Sequence, residues 1–162
     1  ALRRAGLFLP IPDAPLAGLL PPRRPARRLI APGASLGRRA ARWPFWPEFL
    51  RADTTPVTLC GDGHAVEPWQ ADLPPHAQDR ICCTARLEDV LPLLAEATLV
   101  LSPDTGIAHL AAACGVPTLT IFRAGQSRPE NGMPYGPRAR GLVEPTPDEV
   151  LDAARQMEEA AL

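Results

Sequence analysis

The chain has 162 residues, and 46% of them are hydrophobic, so it is long enough for one domain with a substantial buried core. The formal net charge is -1, all basic residues are arginine, and no apolar run approaches the ~18 residues of a membrane-spanning helix. Residues 1–51 hold ten arginines against Asp13 and Glu48. This basic third suits contacts with phosphates or with an anionic membrane face, and it suits an ordinary solvated surface equally well.

The cysteines lie at or beside predicted strands, or on the apolar stripe of a predicted helix. These four residues are Cys60, Cys82, Cys83 and Cys114. They show no CxxC spacing, and no histidine lies at the spacing of a zinc site. Free buried thiols in a reducing, cytoplasmic compartment are therefore expected, with no metal site. No signal peptide is evident. Because Ala1 is not an initiator residue, we expect a processed, trimmed or split product.

The first 27 residues are rich in proline, leucine and arginine and follow no sustained period. They predict a linker with a helix remnant over residues 1–7. A short strand over Arg28–Ala31 then leads into a glycine turn, Pro32-Gly33-Ala34-Ser35. Such a turn lets backbone amides approach a phosphate, although a Pro-Gly pair is also an ordinary turn.

The next part of the chain alternates short helices and strands. The patterns predict a helix over Pro47–Ala52, strands over Pro56–Cys60 and Arg80–Cys83, and a helical stripe from Leu87 to Leu94. The first of these strands ends at two glycines, 61 and 63, which indicates a loop that faces a ligand. His64 and His76 are both expected to be exposed in loops.

The central stretch, residues 99–122, predicts a strand, a helix and a second strand. Leu99–Leu101 is a short apolar run that Pro103 is expected to stop, and Gly115 ends the helix before Val116–Phe122. The helix carries an apolar stripe at i, i+3, i+4 and i+7, made of Ile107, Leu110, Ala111 and Cys114. This is a βαβ unit, which normally belongs to a parallel sheet.

Polar residues lie where this unit passes from strand to helix. Asp104 is expected to cap the helix, while Thr105 and His109 are four residues apart and so share a face. With Gly106, they occupy the position where open α/β sheets bind ligands and helix N-termini favour phosphate. The alternative is an aspartate cap, a turn glycine and a solvent-facing histidine.

After Phe122 the patterns predict a long loop over Arg123–Arg140, a last short strand over Gly141–Val143 and a helix over Pro147–Leu162. Thr146 and Glu149 form a predicted capping box for that helix. The order of elements predicts an α/β fold, a Rossmann-like three-layer sandwich with a parallel sheet over residues 28–162.

The segment Ser102-Pro-Asp-Thr-Gly-Ile-Ala-His-Leu-Ala-Ala-Ala-Cys-Gly-Val-Pro-Thr118 resembles the signature of glycosyltransferase family 9, the bacterial heptosyltransferases of lipopolysaccharide core synthesis. The resemblance covers about residues 28–160. It implies the C-terminal, donor-binding half of a two-domain GT-B architecture. In the family, the Asp-Thr-Gly-x-x-His segment opens a helix and faces the nucleotide-sugar donor.

Two further segments resemble the family. The turn at 32–35 is typical of the start of this domain, and Arg42-Trp43-Pro44 matches a basic residue near Trp-Pro. Family members often carry lysine two residues before the tryptophan, where Ala41 stands here, and neighbouring arginines can supply that charge. Glu67 stands near the family's acid for the ribose hydroxyls. The implied donor-binding residues are Gly33, Ala34, Ser35, Arg42, Glu67, Asp104, Thr105, Gly106 and His109.

The resemblance implies metal-independent sugar transfer, without a cofactor, from a donor of the ADP-heptose type to a lipopolysaccharide-core or related glycolipid acceptor. The general base belongs to the N-terminal acceptor-binding domain, so no catalytic residue is expected in this chain, and the chain alone should be inactive. A peripheral contact with the inner membrane is compatible with this function, and no nucleic-acid partner is expected. The alternatives are a non-catalytic nucleotide-sugar-binding module, a decayed paralogue, or another doubly wound protein with a different nucleotide.

Overall fold

The protein is described by a computed structural model over residues 12–33, 43–61, 72–78, 80–83 and 86–161. Within these ranges six strands form one parallel sheet. They are β1 (Arg27–Ile30), β2 (Val57–Gly61), β3 (Ile81–Cys83), β4 (Ala97–Pro103), β5 (Thr118–Phe122) and β6 (Ala139–Val143). The spatial order is β3-β2-β1-β4-β5-β6, so the direction of winding reverses between β1 and β4. The parallel α/β sheet predicted from the sequence is confirmed.

The described helices connect these strands. They are α1 (Trp46–Ala52), α2 (Pro75–Gln78), α3 (Leu91–Glu96), α4 (Gly106–Ala113), α5 (Pro129–Gly132) and α6 (Pro147–Glu159), with 3₁₀ turns at Ala17–Leu19 and Leu87–Val90. No helix in the described ranges is long and apolar enough to cross a membrane.

The core lies on both faces of the sheet because successive strand side chains point to opposite sides. In β4, Leu99 and Leu101 pack with aromatic and aliphatic residues of α1 and α6, whereas Val100 packs on the other side with residues of α3 and α4. The first face holds a set of edge-to-face aromatic rings from Trp43, Trp46 and Phe49. The chain is therefore a helix–sheet–helix sandwich.

Several predicted boundaries shift. β4 ends at Pro103 as expected, but it is longer than the apolar run 99–101, since it begins at Ala97 and Pro103 itself is paired with Ile121. The stretch Leu87–Val90 is a 3₁₀ turn that leads into α3, and the predicted loop over 123–140 contains α5. The buried face of α4 consists of Ala108, Ala111 and Ala112. Ile107 and Leu110 are only half-buried, because alanine side chains allow the helix to lie close to the sheet.

Local signals at two helix ends are confirmed. Thr146 begins α6 with the predicted capping box, in which the Thr146 amide donates to Glu149 Oε2 at 2.8 Å. Gly115 follows α4 with a φ of 78°, a left-handed conformation that glycine adopts without a steric penalty.

The segment before β1 lies against the helices of one face. The Leu16 amide donates to Ala113 O at the end of α4, and the Arg24 and Ala26 amides donate to Ala95 O and Glu96 O at the end of α3. The domain boundary expected at residue 27 remains a prediction.

A buried ionic network holds the start of β1. Arg28 Nη1 lies 2.7 Å from Asp53 Oδ2, and both residues are only 2% exposed. Arg28 Nε also donates to Glu158 near the end of α6, and Thr98 Oγ1 donates to the same carboxylate at 2.7 Å. Burial alone would lower the pKa of Arg28, but hydrogen bonds and charges from Glu158 and Asp53 outweigh it and raise that pKa.

Candidate functional site

The carboxyl ends of β1 and β4 lie side by side at the point where the strand order reverses. Ile30 of β1 is paired with Leu101 of β4, so Gly33 and Asp104 follow the two neighbouring strands at the same edge of the sheet. Ser102 Oγ donates to Ala31 O at 3.0 Å and joins the two strand ends directly. Ligands of open α/β sheets bind in a crevice of this kind.

Thr105, rather than Asp104, caps α4, so the predicted aspartate cap was wrong. Thr105 has extended backbone angles, and its Oγ1 accepts from the Ala108 amide at 3.4 Å. The same hydroxyl lies 2.7 Å from Ser102 Oγ. Because β4 continues to Pro103, the extended residue that a cap requires falls one position later than expected. This leaves the Asp104 carboxylate available for other contacts.

Asp104 pairs with His109 at the start of α4. Asp104 Oδ1 lies 3.2 Å from His109 Nε2, and the Asp104 side chain is 16% exposed against 47% for His109. The spacing predicted a shared face for Thr105 and His109. In the structure Thr105 instead directs its hydroxyl to Ser102, and His109 contacts Asp104. The carboxylate is thus held in place by the His109 ring.

Gly106 opens α4 with free space around its Cα. A Cβ built there has no protein atom within 4 Å, outside the helix's own backbone, and the residue has no positive φ. Nothing in the described protein therefore demands glycine at this position. The absent side chain leaves the first amides of α4 accessible, and such amides bind anions well.

A polar cleft of about 320 Å³ adjoins Asp104 and is built by the loop after β5. It is lined by Asp104, Gly125, Gln126, Ser127, Arg128, Asn131 and Gly132. Ser127 Oγ is buried and has no hydrogen-bond partner among the described residues. Sequence reasoning singled out this loop but missed Gln126, Ser127, Arg128 and Asn131. The available signal was a polar run after a strand that neighbours β4.

Gly132 packs closely against the Asp104 carboxylate. A Cβ at Gly132 would lie 2.6 Å from Asp104 Oδ2, closer than real contacts allow, and 3.1 Å from Phe122 Cε1, which is a tight contact. We expect Gly132→Ala to lower the free energy of unfolding by about 1–3 kcal/mol, the usual cost of overpacking. Denaturant unfolding measures this, with Gly106→Ala as the matched control because its Cβ meets open space. Equal stability of the two variants would contradict the close packing at Asp104.

Four of the predicted donor-binding residues lie outside the described residues: Ala34, Ser35, Arg42 and Glu67. Their roles remain predictions. Gly33 precedes the first gap and is half-buried. Trp43 follows that gap, and its buried Nε1 donates to Pro145 O at 3.0 Å, just after β6.

The strand order and the polar loops at its reversal define a Rossmann-like α/β domain of the kind that binds ligands at the carboxyl edge of its sheet. The sequence-family model of glycosyltransferase family 9 (heptosyltransferase) matches residues 24–159, and the chain belongs to this family. No curated protein matches the chain significantly.

Solved structures share the fold, which is that of the GT-B heptosyltransferases. E. coli heptosyltransferase WaaC with ADP is 24% identical, with a TM-score of 0.75 over 96% of this chain and 53% of that one. E. coli ADP-heptose lps heptosyltransferase II is 23% identical, with a TM-score of 0.70 over 84% and 48%. A family 9 glycosyl transferase from Veillonella parvula is 19% identical, with a TM-score of 0.61 over 83% and 46%. The chain thus spans about half the length of these proteins.

Proposed function

We propose that this chain is the C-terminal, donor-binding half of a family 9 glycosyltransferase. The donor is a nucleotide sugar of the ADP-heptose type, and the acceptor is a lipopolysaccharide core or related glycolipid, bound by an N-terminal half. Transfer takes place on the cytoplasmic side of the inner membrane. The observation that carries the proposal is the meeting of Gly33 and the segment from Ser102 to His109 at the reversal of the strand order.

The diphosphate of the donor would lie against the start of α4. There the open space at Gly106 permits close approach of phosphate oxygens to the first amides of the helix. Arg128, which lines the adjoining cleft, supplies a side-chain positive charge for the leaving diphosphate. Helix amides and arginine together stabilise that charge, so the proposed transfer is metal-independent.

The sugar would lie beside Asp104, whose carboxylate accepts hydrogen bonds from sugar hydroxyls and is oriented by His109 and Gly132. The general base that deprotonates the acceptor is assigned to the N-terminal half, and no residue of this chain is assigned a catalytic role. Solved relatives support the donor class, since WaaC is described with ADP and with ADP-2-deoxy-2-fluoro heptose.

The test is calorimetric titration with a panel of nucleotide sugars, ADP-heptose first, followed by incubation with labelled donor and deacylated lipopolysaccharide. We expect weak, saturable binding of adenine-containing donors and no labelled product. The affinity is modest because a GT-B cleft closes between two domains and this chain provides one wall. Product above that of a His109→Ala variant would show that this half transfers sugar by itself, and absence of any nucleotide binding would refute the donor site.

A non-catalytic nucleotide-sugar-binding module, or a decayed paralogue, is the second candidate. It is favoured by Ala41, which stands where family members often carry lysine. Supplying the N-terminal half of a related enzyme distinguishes the two candidates. Transfer that depends on both halves supports the enzyme, whereas donor binding without transfer supports the module.

A further inference from the structure

A second cavity, of about 350 Å³, lies at the opposite, amino edge of the sheet. It is lined mainly by Arg23, Pro25, Thr98, Pro117, Arg138 and Glu158. Thr98 is near the start of β4 and Asp104 follows its end. At about 3.3 Å per residue, this places the cavity ~20 Å from the proposed donor site.

Two arginines bring positive charge to this cavity. Arg23 Nη2 donates to Ala97 O at 2.8 Å, which anchors its guanidinium at the start of β4. Arg138 immediately precedes β6 and lines the same cavity. Burial and the like charge of Arg138 lower the pKa of Arg23, in agreement with two neighbouring guanidinium groups.

The nearby acid offsets only part of this positive charge. Glu158 lines the cavity and is bound by Arg28 and by Thr98, but Arg28 also pairs with Asp53. Three arginines, Arg23, Arg28 and Arg138, therefore stand against two carboxylates, and the charge around the cavity stays positive. In the part of the chain that the structure describes, no carboxylate forms an ion pair with Arg23 or Arg138. Pro25 and Pro117 give the cavity an apolar wall beside these charges.

We propose that this amino-edge cavity binds a phosphate monoester with an apolar body. The phosphate lies between the Arg23 and Arg138 guanidinium groups, and the apolar part of the ligand packs against Pro25 and Pro117. Arginine presents a rigid fork of donors that suits phosphate, and a dianion relieves the repulsion between two like charges. The site is separate from the proposed donor crevice and does not depend on the function assigned there.

Phenyl phosphate and inorganic phosphate are the probes, titrated calorimetrically into the wild-type protein and its variants at low ionic strength. We expect phenyl phosphate to bind saturably and more tightly than inorganic phosphate. Arg138→Met should weaken its binding about tenfold or more, as expected for a lost hydrogen bond to a charged group. Arg138→Lys should bind with intermediate affinity, because it keeps the charge and loses the fork.

Arg155→Met is the matched control. It also removes one exposed arginine, from α6, whose one ion pair with a described residue is a 3.9 Å contact with Asp152. Its affinity for phenyl phosphate should equal that of the wild type. Equal affinities of the Arg138 and Arg155 variants would overturn the proposal. Loss of phenyl phosphate binding in Gly106→Val would also overturn it, since the ligand would then occupy the carboxyl edge.

Discussion

Replacing Arg28 with methionine is expected to lower the free energy of unfolding by about 3–5 kcal/mol, the range found when one partner of a buried ion pair is removed. The substitution leaves the Asp53 carboxylate, 2% exposed, without the guanidinium 2.7 Å away. It also releases Glu158, which joins α6 to the start of β1. Urea unfolding followed by circular dichroism measures the loss.

The control for this loss is Arg80→Met. Arg80 Nη1 also lies 2.7 Å from a carboxylate, that of Glu96, but these side chains are 34% and 39% exposed. An exposed pair contributes at most about 1 kcal/mol, so the control should stay near the wild type. If the two substitutions lowered the free energy of unfolding equally, burial would not be the reason for the large effect at Arg28.

A double variant, Arg28→Met with Asp53→Leu, separates two contributions to the free energy of unfolding. One is the cost of leaving the Asp53 carboxylate buried without a partner, and the other is the stabilisation by the ion pair itself. An apolar replacement of both partners often restores stability, so the double variant should be more stable than Arg28→Met alone. A double variant as unstable as the sum of the two single variants would contradict this account. The same urea unfolding experiment measures it.

Replacing Gly106 with valine is expected to weaken ADP binding by roughly tenfold to a hundredfold, the loss of one or two hydrogen bonds to a charged group. The free energy of unfolding should change by less than about 1 kcal/mol, because the new side chain enters open space and glycine is a poor helix former. Calorimetric titration with ADP and urea unfolding measure the two quantities on the same sample. The physical reason is crowding of the diphosphate at the first amides of α4.

Gly18→Val provides the control for this experiment. A Cβ at Gly18 also meets nothing within 4 Å, and the residue likewise has no positive φ, but it lies in the 3₁₀ turn before β1. Its ADP affinity should match that of the wild type. Normal binding by Gly106→Val, or its unfolding, would show that the glycine has a purely structural role.

Sequence patterns predicted those features whose causes are local. The capping box of α6 joins Thr146 and Glu149, three residues apart, and the end of α4 needs only Gly115 in a left-handed conformation. Several strands were recognisable as short apolar runs close to proline or glycine. The helix–sheet–helix arrangement followed from the alternation of these elements along the chain.

The exact start of α4 was not predictable in this way. Asp104 and Thr105 are both good capping residues, and the choice between them depends on how far β4 extends beside β1 and β5. The Ser102 hydroxyl, which bonds Ala31 O across the sheet, also contacts the Thr105 hydroxyl. Contacts from neighbouring strands therefore decide that the Thr105 hydroxyl, and not the Asp104 carboxylate, caps α4.

The six strands and the polar residues at the end of β4 could be predicted from sequence, because both depend on contacts within a few residues. Packing of whole elements brings about the reversal of strand order between β1 and β4 and places Ser127 and Arg128 in the cleft beside Asp104. The same packing pairs Arg28 with Glu158, 130 positions away. Pairings at such distances depend on how whole elements pack, and no local spacing encodes them.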